Sequence, residues 1–265
     1  MSPSSNQPSL ELEPHGADTY LGVSPDYPWG RIYGGLVVAQ ALTAATKTVD
    51  PDHFVHSLHA YFILGGVPTE PVRYEVDRLR NGRSFSTRRV VARQSGGAIF
   101  NLSASFHRVE DGPVAEGVEQ PATPSPDEVK PSPWESGFDY REIDPPPSTG
   151  RSLAWGRYTA PLPDDPRAHA CALAFLSDAN PMDAIAGRHP VTPTSPTEWD
   201  KTFVSASLDH TVWFHRHVRA DDWLLFDMHS NHVSGSRGVA TGEVYQDGLL
   251  VATVAQEGLL RLKTH

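Results

Sequence analysis

The sequence predicts an α+β fold built twice over: two similar units, each a helix followed by an antiparallel meander of strands. Two observations predict it. His56-Ser57-Leu58-His59-Ala60-Tyr61-Phe62 is echoed by Leu208-Asp209-His210-Thr211-Val212-Trp213-Phe214. Residues 89–106 and 238–257 also alternate apolar and polar side chains and bend at matching places, Ser95-Gly96-Gly97 and Gln246-Asp247-Gly248. A repeat this long with period-2 patterning implies paired units of one plan. A function confined to one unit should then appear as polar residues that break the echo.

The elements follow in order. Residues 1–15 are polar and proline-bearing and read as a flexible tail. The first unit spans 16–108. Its helix is predicted over 32–47, where Leu36, Val37, Gln40, Ala41 and Ala44 fall at helical spacings and Gly34-Gly35 permits close backbone approach. Strands are predicted over 54–64, 72–80, 84–94 and 98–108, with Asn81-Gly82 and Ser95-Gly96-Gly97 as hairpin turns. Between 109 and 150 lie nine prolines, so this stretch reads as a linker that cannot supply central strands. The second unit, 151–265, begins with a strand at 153–158. Asp165-Pro166 then opens a helix as N-cap and first-turn proline, and Pro181 ends it. Residues 187–196 read as a loop, and strands follow at 203–215, 224–233, 239–245 and 249–256.

Composition narrows the function classes. With 32 acidic residues against 22 Lys plus Arg, the formal charge of -10 argues against a nucleic-acid surface. The apolar runs are too short for a membrane span. The single Cys171 has no internal disulfide partner and reads as a small buried side chain. With no secretory leader and a terminus of Leu262-Lys263-Thr264-His265, not the peroxisomal Ser-Lys-Leu address, the cytoplasm is the expected location. Arg73, Arg78, Arg80, Arg83, Arg88, Arg89 and Arg93 crowd the first half and are expected chiefly in ion pairs or on solvated strand faces.

The polar departures lie in the second unit. Asp178 sits where its helix ends, beside Phe175 and Leu176, and partial burial would raise its pKa. The residues alone leave it open between a cap and a proton-accepting site. Strict alternation sets Ser205, Ser207 and Asp209 on one strand face and His210, Val212 and Phe214 on the other. Gln256, placed at a strand end with Ser105 as its counterpart in the first unit, needs partners if buried. Asp209 is a rival carboxylate. His210, His215, His217, His229 and His232 lack the spacing of a metal-ligand set, and no Gly-x-Ser-x-Gly elbow occurs, so neither a metal nor a nucleophilic serine is expected.

The chain resembles the acyl-CoA thioesterase II family, whose bacterial and peroxisomal members share a double hotdog fold. The resemblance is carried by Tyr33-Gly34-Gly35-Leu36-Val37-Val38-Ala39-Gln40-Ala41-Leu42, by the 56–62 and 208–216 stretches, by Asn81-Gly82-Arg83-Ser84-Phe85, by Leu176-Ser177-Asp178 and by Val254-Ala255-Gln256-Glu257-Gly258. It implies hydrolysis of acyl-CoA by an Asp, a hydroxyl residue and a Gln that hold a water at the thioester carbonyl. These fall on Asp178, Ser207 and Gln256, with Asp209, Gly34 and Gly35 in support. It implies no cofactor beyond the CoA of the substrate, and assembly into a homo-oligomer. The competing readings are a non-catalytic acyl-CoA or lipid binder and a hotdog enoyl-CoA hydratase, which needs an Asp and His pair. Fold alone does not choose among them.

Overall fold

The computed structural model describes residues 8–132, 137–143, 149–191 and 196–263. The first unit contains β1 (Glu13–Pro14), β2 (Thr19–Gly22), α1 (Gly34–Thr46), β3 (His53–Phe62), β4 (Val72–Asn81), β5 (Phe85–Gln94) and β6 (Gly97–Arg108). Then come β7 (Phe138–Ile143), β8 (Arg151–Tyr158), α2 (Pro166–Leu176), α3 (Pro181–Arg188), α4 (Pro196–Thr202), β9 (Phe203–Ser207), β10 (Asp209–Phe214), β11 (Leu224–Ser234), β12 (Arg237–Gln246) and β13 (Leu249–Leu262).

The thirteen strands among the described residues join one antiparallel sheet, in the order β1-β2-β4-β5-β6-β3-β10-β13-β12-β11-β8-β7, with β9 also on β13. The two units meet where β3 pairs with β10, from Asp209 opposite Tyr61 to Trp213 opposite Ser57. Helix α1 lies on β3, β4, β5 and β6, while α3 lies on β8, β11, β12 and β13, and α2 packs on α1. Two helix-plus-sheet repeats thus share one continuous sheet, the double hotdog plan that the sequence predicts. The core runs along the helices. Leu36, Val38, Ala39, Ala41, Leu42, Ala44 and Ala45 of α1 are fully buried, and the small alanines let α1 sit close against the sheet and α2.

Turn chemistry explains the hairpins. Asp247 (φ 52°) and Gly248 (φ 82°) link Gln246 to its partner Leu249 as a two-residue loop, both in the positive-φ region that this tight turn requires. Helix α2 begins as predicted, with Asp165 accepting from the Arg167 amide and Pro166 in the first turn.

Several expectations need correction. Pro181 ends α2 but also opens α3, because proline fits the first turn of a new helix as well as it blocks an old one. The strand expected at 203–215 is two strands: at Leu208 the pairing with β13 slips by one residue, from Ser207 opposite Gly258 to Thr211 opposite Ala255. Leu208 stays bonded on both sides, its amide to Glu257 O (2.8 Å) and its carbonyl to the Phe62 amide (3.0 Å). Gln256 lies within β13, which runs on to Leu262.

The 109–150 stretch contributes β7 at the sheet edge, where Phe138 and Tyr140 are buried; the alternation Phe138-Asp139-Tyr140 was the available signal. Earlier parts of it lie along the second unit, with Glu116 paired to Arg216 and Pro124 O accepting from Trp155 Nε1. Nor are residues 8–15 loose. Leu12 is buried, Ser9 O accepts from Gln40, and Pro8 O accepts from Tyr158. Residues 1–7 and 192–195 lie outside the described residues, and the loop expected at 187–196 is shortened at its ends, where α3 runs to Arg188 and α4 begins at Pro196.

Candidate active site

The bend between α2 and α3 presents Asp178. Asn180 pins it: Oδ1 accepts from the Tyr140 hydroxyl (2.6 Å) and from Ser152 Oγ, and Nδ2 donates to Ser152 O (3.3 Å) and Phe226 O (3.5 Å). Both residues are buried, and a buried amide with every group engaged fixes the backbone around it.

Asp178 therefore leaves its own helix end and faces the start of α1 in the other unit. Ser207 Oγ donates to its carboxylate over 3.4 Å, and the Gly35 amide and the Gln256 side chain lie near enough to favour its ionised form. A Cβ built on Gly34 would stand 2.6 Å from Asp178 Oδ2, and one on Gly35 would stand 2.3 Å from Phe175 O. Only glycine lets this helix start approach so closely. The sequence placed Asp178 at a helix C-terminus, without help from a dipole, whereas the structure sets it against the partial positive charge of an N-terminus. Burial still dominates. Desolvation pushes the Asp178 carboxyl up to about 7, against the lowering effect of the Gly35, Ser207 and Gln256 donors.

Ser207 is half-buried at the end of β9, and its hydroxyl donates to Asp178 Oδ1 over 3.4 Å while accepting from Gln256 Nε2 at 2.8 Å. Gln256 is buried, and its Oε1 lies 2.6 Å from His210 Nδ1. His210 Nε2 lies 2.8 Å from Ser177 Oγ. The slip at Leu208 makes this possible. Without it, Ser207 and His210, three residues apart, would point to opposite faces; the extra residue puts both beside Gln256.

The structure thus brings Asp178, Ser207, Gln256, Gly34 and Gly35 together. Asp209 stands apart from the carboxylate cluster. Its Oδ1 accepts from the Glu257 amide at 2.6 Å and staples β10 to β13 across the slip. His210 faces the core beside Val212, as alternation predicts; the slip at Leu208 is what brings Ser207, expected on the opposite face, to the same side. The signal for His210 was the echo itself, which reads Leu58 in the first unit against His210 in the second.

Other candidates go elsewhere. His215 bonds Thr253, His217 packs edge-to-face with Phe54, and His229 pairs with Asp227. Arg73, Arg78, Arg89 and Arg93 pair with Glu75, Asp18, Asp77 and Glu75. Cys171 is buried and its thiol is pushed up to about 11, which leaves it protonated. No helix among the described residues is long and apolar enough to cross a membrane.

Comparison with known proteins agrees with this architecture. Residues 23–107 match the profile of the acyl-CoA thioesterase N-terminal domain, and residues 101–260 match that of the C-terminal domain. Acyl-coenzyme A thioesterase 8 of Homo sapiens is 34% identical over 288 residues, covering 96% of this chain and 88% of that protein. Acyl-CoA thioesterase 2 of Haemophilus influenzae is 31% identical over 282 residues, covering 95% of each. The crystal structure of acyl-CoA thioesterase II TesB2 from Mycobacterium marinum superposes with a TM-score of 0.82 at 37% identity, covering 96% of each chain. With both halves matched in order and the whole length covered, this chain belongs to the double hotdog acyl-CoA thioesterase family.

Proposed function

We propose that this protein hydrolyses acyl-CoA thioesters to the free acid and CoA by direct attack of water. One observation carries the reading: a buried carboxylate, Asp178, poised near neutrality and held between a helix N-terminus, a hydroxyl and an amide. A base with a pKa near the working pH combines availability with proton affinity. Ionised Asp178 orients water and takes its proton. Ser207 and Gln256 position that water, and with the first turn of α1 they stabilise charge that develops on the carbonyl oxygen. Most of the rate gain is assigned to preorganised geometry.

The local contacts support direct hydrolysis over an acyl-enzyme. Ser207 touches Asp178 and Gln256 but no histidine, so it lacks the activating partner of a serine nucleophile. Ser177 does touch His210, yet it is fully buried behind the site. The hydratase reading is weakened in the same way: the contact of His210 is with Gln256, one residue removed from Asp178. The proposed organisation is two hotdog units, 16–108 and 151–265, joined by 109–150, with further assembly into a homo-oligomer readable by analytical ultracentrifugation.

The test is CoA release from short, medium and long acyl-CoAs, with Asp178→Asn beside the parent. Turnover that collapses in a folded, ligand-binding variant supports the reading. Binding without turnover by the parent makes the protein an acyl-CoA binder. Turnover indifferent to the substitution moves the chemistry to another group.

A further inference from the structure

We propose that His210 is a positioning residue for this site, resting on the thioesterase reading above: its Nδ1–H holds the Gln256 carbonyl and so aims the Gln256 amide nitrogen at Ser207 and Asp178. A glutamine amide has two faces, an acceptor and a donor, and nothing in its shape chooses between them. Here the choice decides the chemistry. With Oε1 toward His210, the Gln256 Nε2 protons face Ser207 Oγ and Asp178, and the chain of donors runs in one direction, from Ser177 through His210, Gln256 and Ser207 to the Asp178 carboxylate. Reversal would place the Gln256 carbonyl oxygen toward Ser207 and the carboxylate. It would strip ionised Asp178 of a donor and set two acceptors against each other.

His210 suits this role because it is fully buried with both ring nitrogens engaged, Nδ1 at 2.6 Å from Gln256 Oε1 and Nε2 at 2.8 Å from Ser177 Oγ. Burial pushes its pKa down to about 4, so the ring is neutral at working pH and carries one N–H. A neutral ring that donates from Nδ1 must accept at Nε2, and Ser177 supplies that proton. Ser177 lies one residue before Asp178, so the same helix end anchors both ends of the chain. The opposite polarity can also close, with His210 donating to Ser177 and Ser177 to Ala174 O at 3.1 Å. The two arrangements therefore differ by a measurable proton position.

The experiment combines kinetics and NMR on the full chain. His210→Leu removes the donor while keeping an apolar side chain, as Leu58 does in the first unit, and His210→Asn keeps an N–H near the Nδ1 position. His210→Leu is expected to lower kcat about 10- to 100-fold with KM little changed, through a misaimed amide. His210→Asn should recover part of that loss. On a Gln256→Ala background, His210→Leu should cost nothing further, because there is no amide left to aim. Nitrogen-15 spectra of the parent should place the His210 proton on Nδ1, and the Gln256 side-chain NH2 signals should move or broaden in His210→Leu.

An equal kcat loss with and without Gln256 would overturn the proposal and make His210 merely structural. A ring proton found on Nε2 would overturn it directly. A parent without turnover would sink the thioesterase reading alone, since the proton position and the Gln256 signals still judge the role of His210.

Discussion

The two units place different chemistry in the same row of the same sheet. In the first, Leu58 of β3 stands opposite Ala104 of β6, which stands opposite Arg88 of β5. In the second, the register that pairs Thr211 with Ala255 sets His210 opposite Gln256, and Gln256 stands opposite Ala240. The register thus makes Ala104 the counterpart of Gln256, where the sequence had suggested Ser105, which sits on the next, outward-facing position. One turn further along, Val55 opposite Phe106 corresponds to Ser207 opposite Gly258. Even the slip is shared: the first unit shifts register at His56, which the echo aligns with Leu208.

The difference lies in what fills the space under the row. In the first unit a buried guanidinium fills it: Arg88 donates to Thr48 Oγ1, Thr48 O, Asn81 Oδ1, Arg80 O and Thr87 O. Every acceptor is neutral, and the arginine cross-links a helix end to a hairpin. In the second unit the row carries small Ala240 and an amide, and Gly258 makes room for α3, since a Cβ there would stand 2.3 Å from Met182 Sδ. One backbone plan thus yields a cross-linked end and an end that carries the candidate site, and the second borrows its helix N-terminus from the first.

The sharpest way to break this comparison is to remove the carboxylate. Asp178→Asn should lower kcat by about 10³- to 10⁴-fold, measured by CoA release. The same variant has a signature in stability. The folded carboxyl has a raised pKa, about 7 against the ordinary 3.8, so ionising it works against the fold. The parent should therefore lose stability as pH rises from about 4 through about 7, by on the order of 4 kcal/mol at most. Asn carries no such penalty, so the variant should unfold at higher denaturant than the parent at pH 8, and the advantage should vanish near pH 4.

Grafting first-unit residues onto the second comes next. Ser207→Val with Gln256→Ala copies Val55 and Ala104, and should lower kcat by about 10²- to 10³-fold with KM little changed. A double variant that turns over like the parent would detach the site from the row. In the parent, kcat should rise with pH and level off above about 7, because only ionised Asp178 can accept the proton; a pH profile from 5 to 9 reads this.

The smallest expected effect on turnover comes from the cross-linked end. Arg88→Leu should leave kcat per folded molecule unchanged while costing roughly 2–4 kcal/mol of stability, since it abandons buried acceptors at Thr48 and Arg80. Urea unfolding beside steady-state kinetics checks both halves of the statement.

What was legible in the sequence follows from which signals are local. Helix α1, the hairpins at Asn81-Gly82 and Asp247-Gly248 and the cap at Asp165 are written in neighbouring residues, and they appear in the fold where predicted. The repeat is legible because two units under the same packing constraint keep the same alternation. The slip at Leu208 has no local marker. Leu208 looks like any strand leucine, and only its pairing with Glu257 and Phe62 from two other strands reveals the extra residue. Without the slip, strict alternation sets Ser207 on the face opposite His210. Strand β7 was hidden for a different reason: an edge strand tolerates prolines around it, so composition outweighed the Phe138-Asp139-Tyr140 pattern. Asp178, Ser207 and Gln256 stand out as polar breaks in the repeat, and the resemblance assigns their roles. Their meeting depends on a bend in one helix and the start of another, which lie more than 130 residues apart in sequence.

The close approach of the α1 start to Asp178 carries a practical consequence. Neither half owns the complete site, so a chain cut within the connector should be silent as separate fragments. Mixing the fragments should restore turnover at a rate set by the product of their concentrations, as the β3 and β10 edges find each other. The reaction then serves as a clock for reassembly, and the enzyme is in effect a complementation reporter already joined by its own tether.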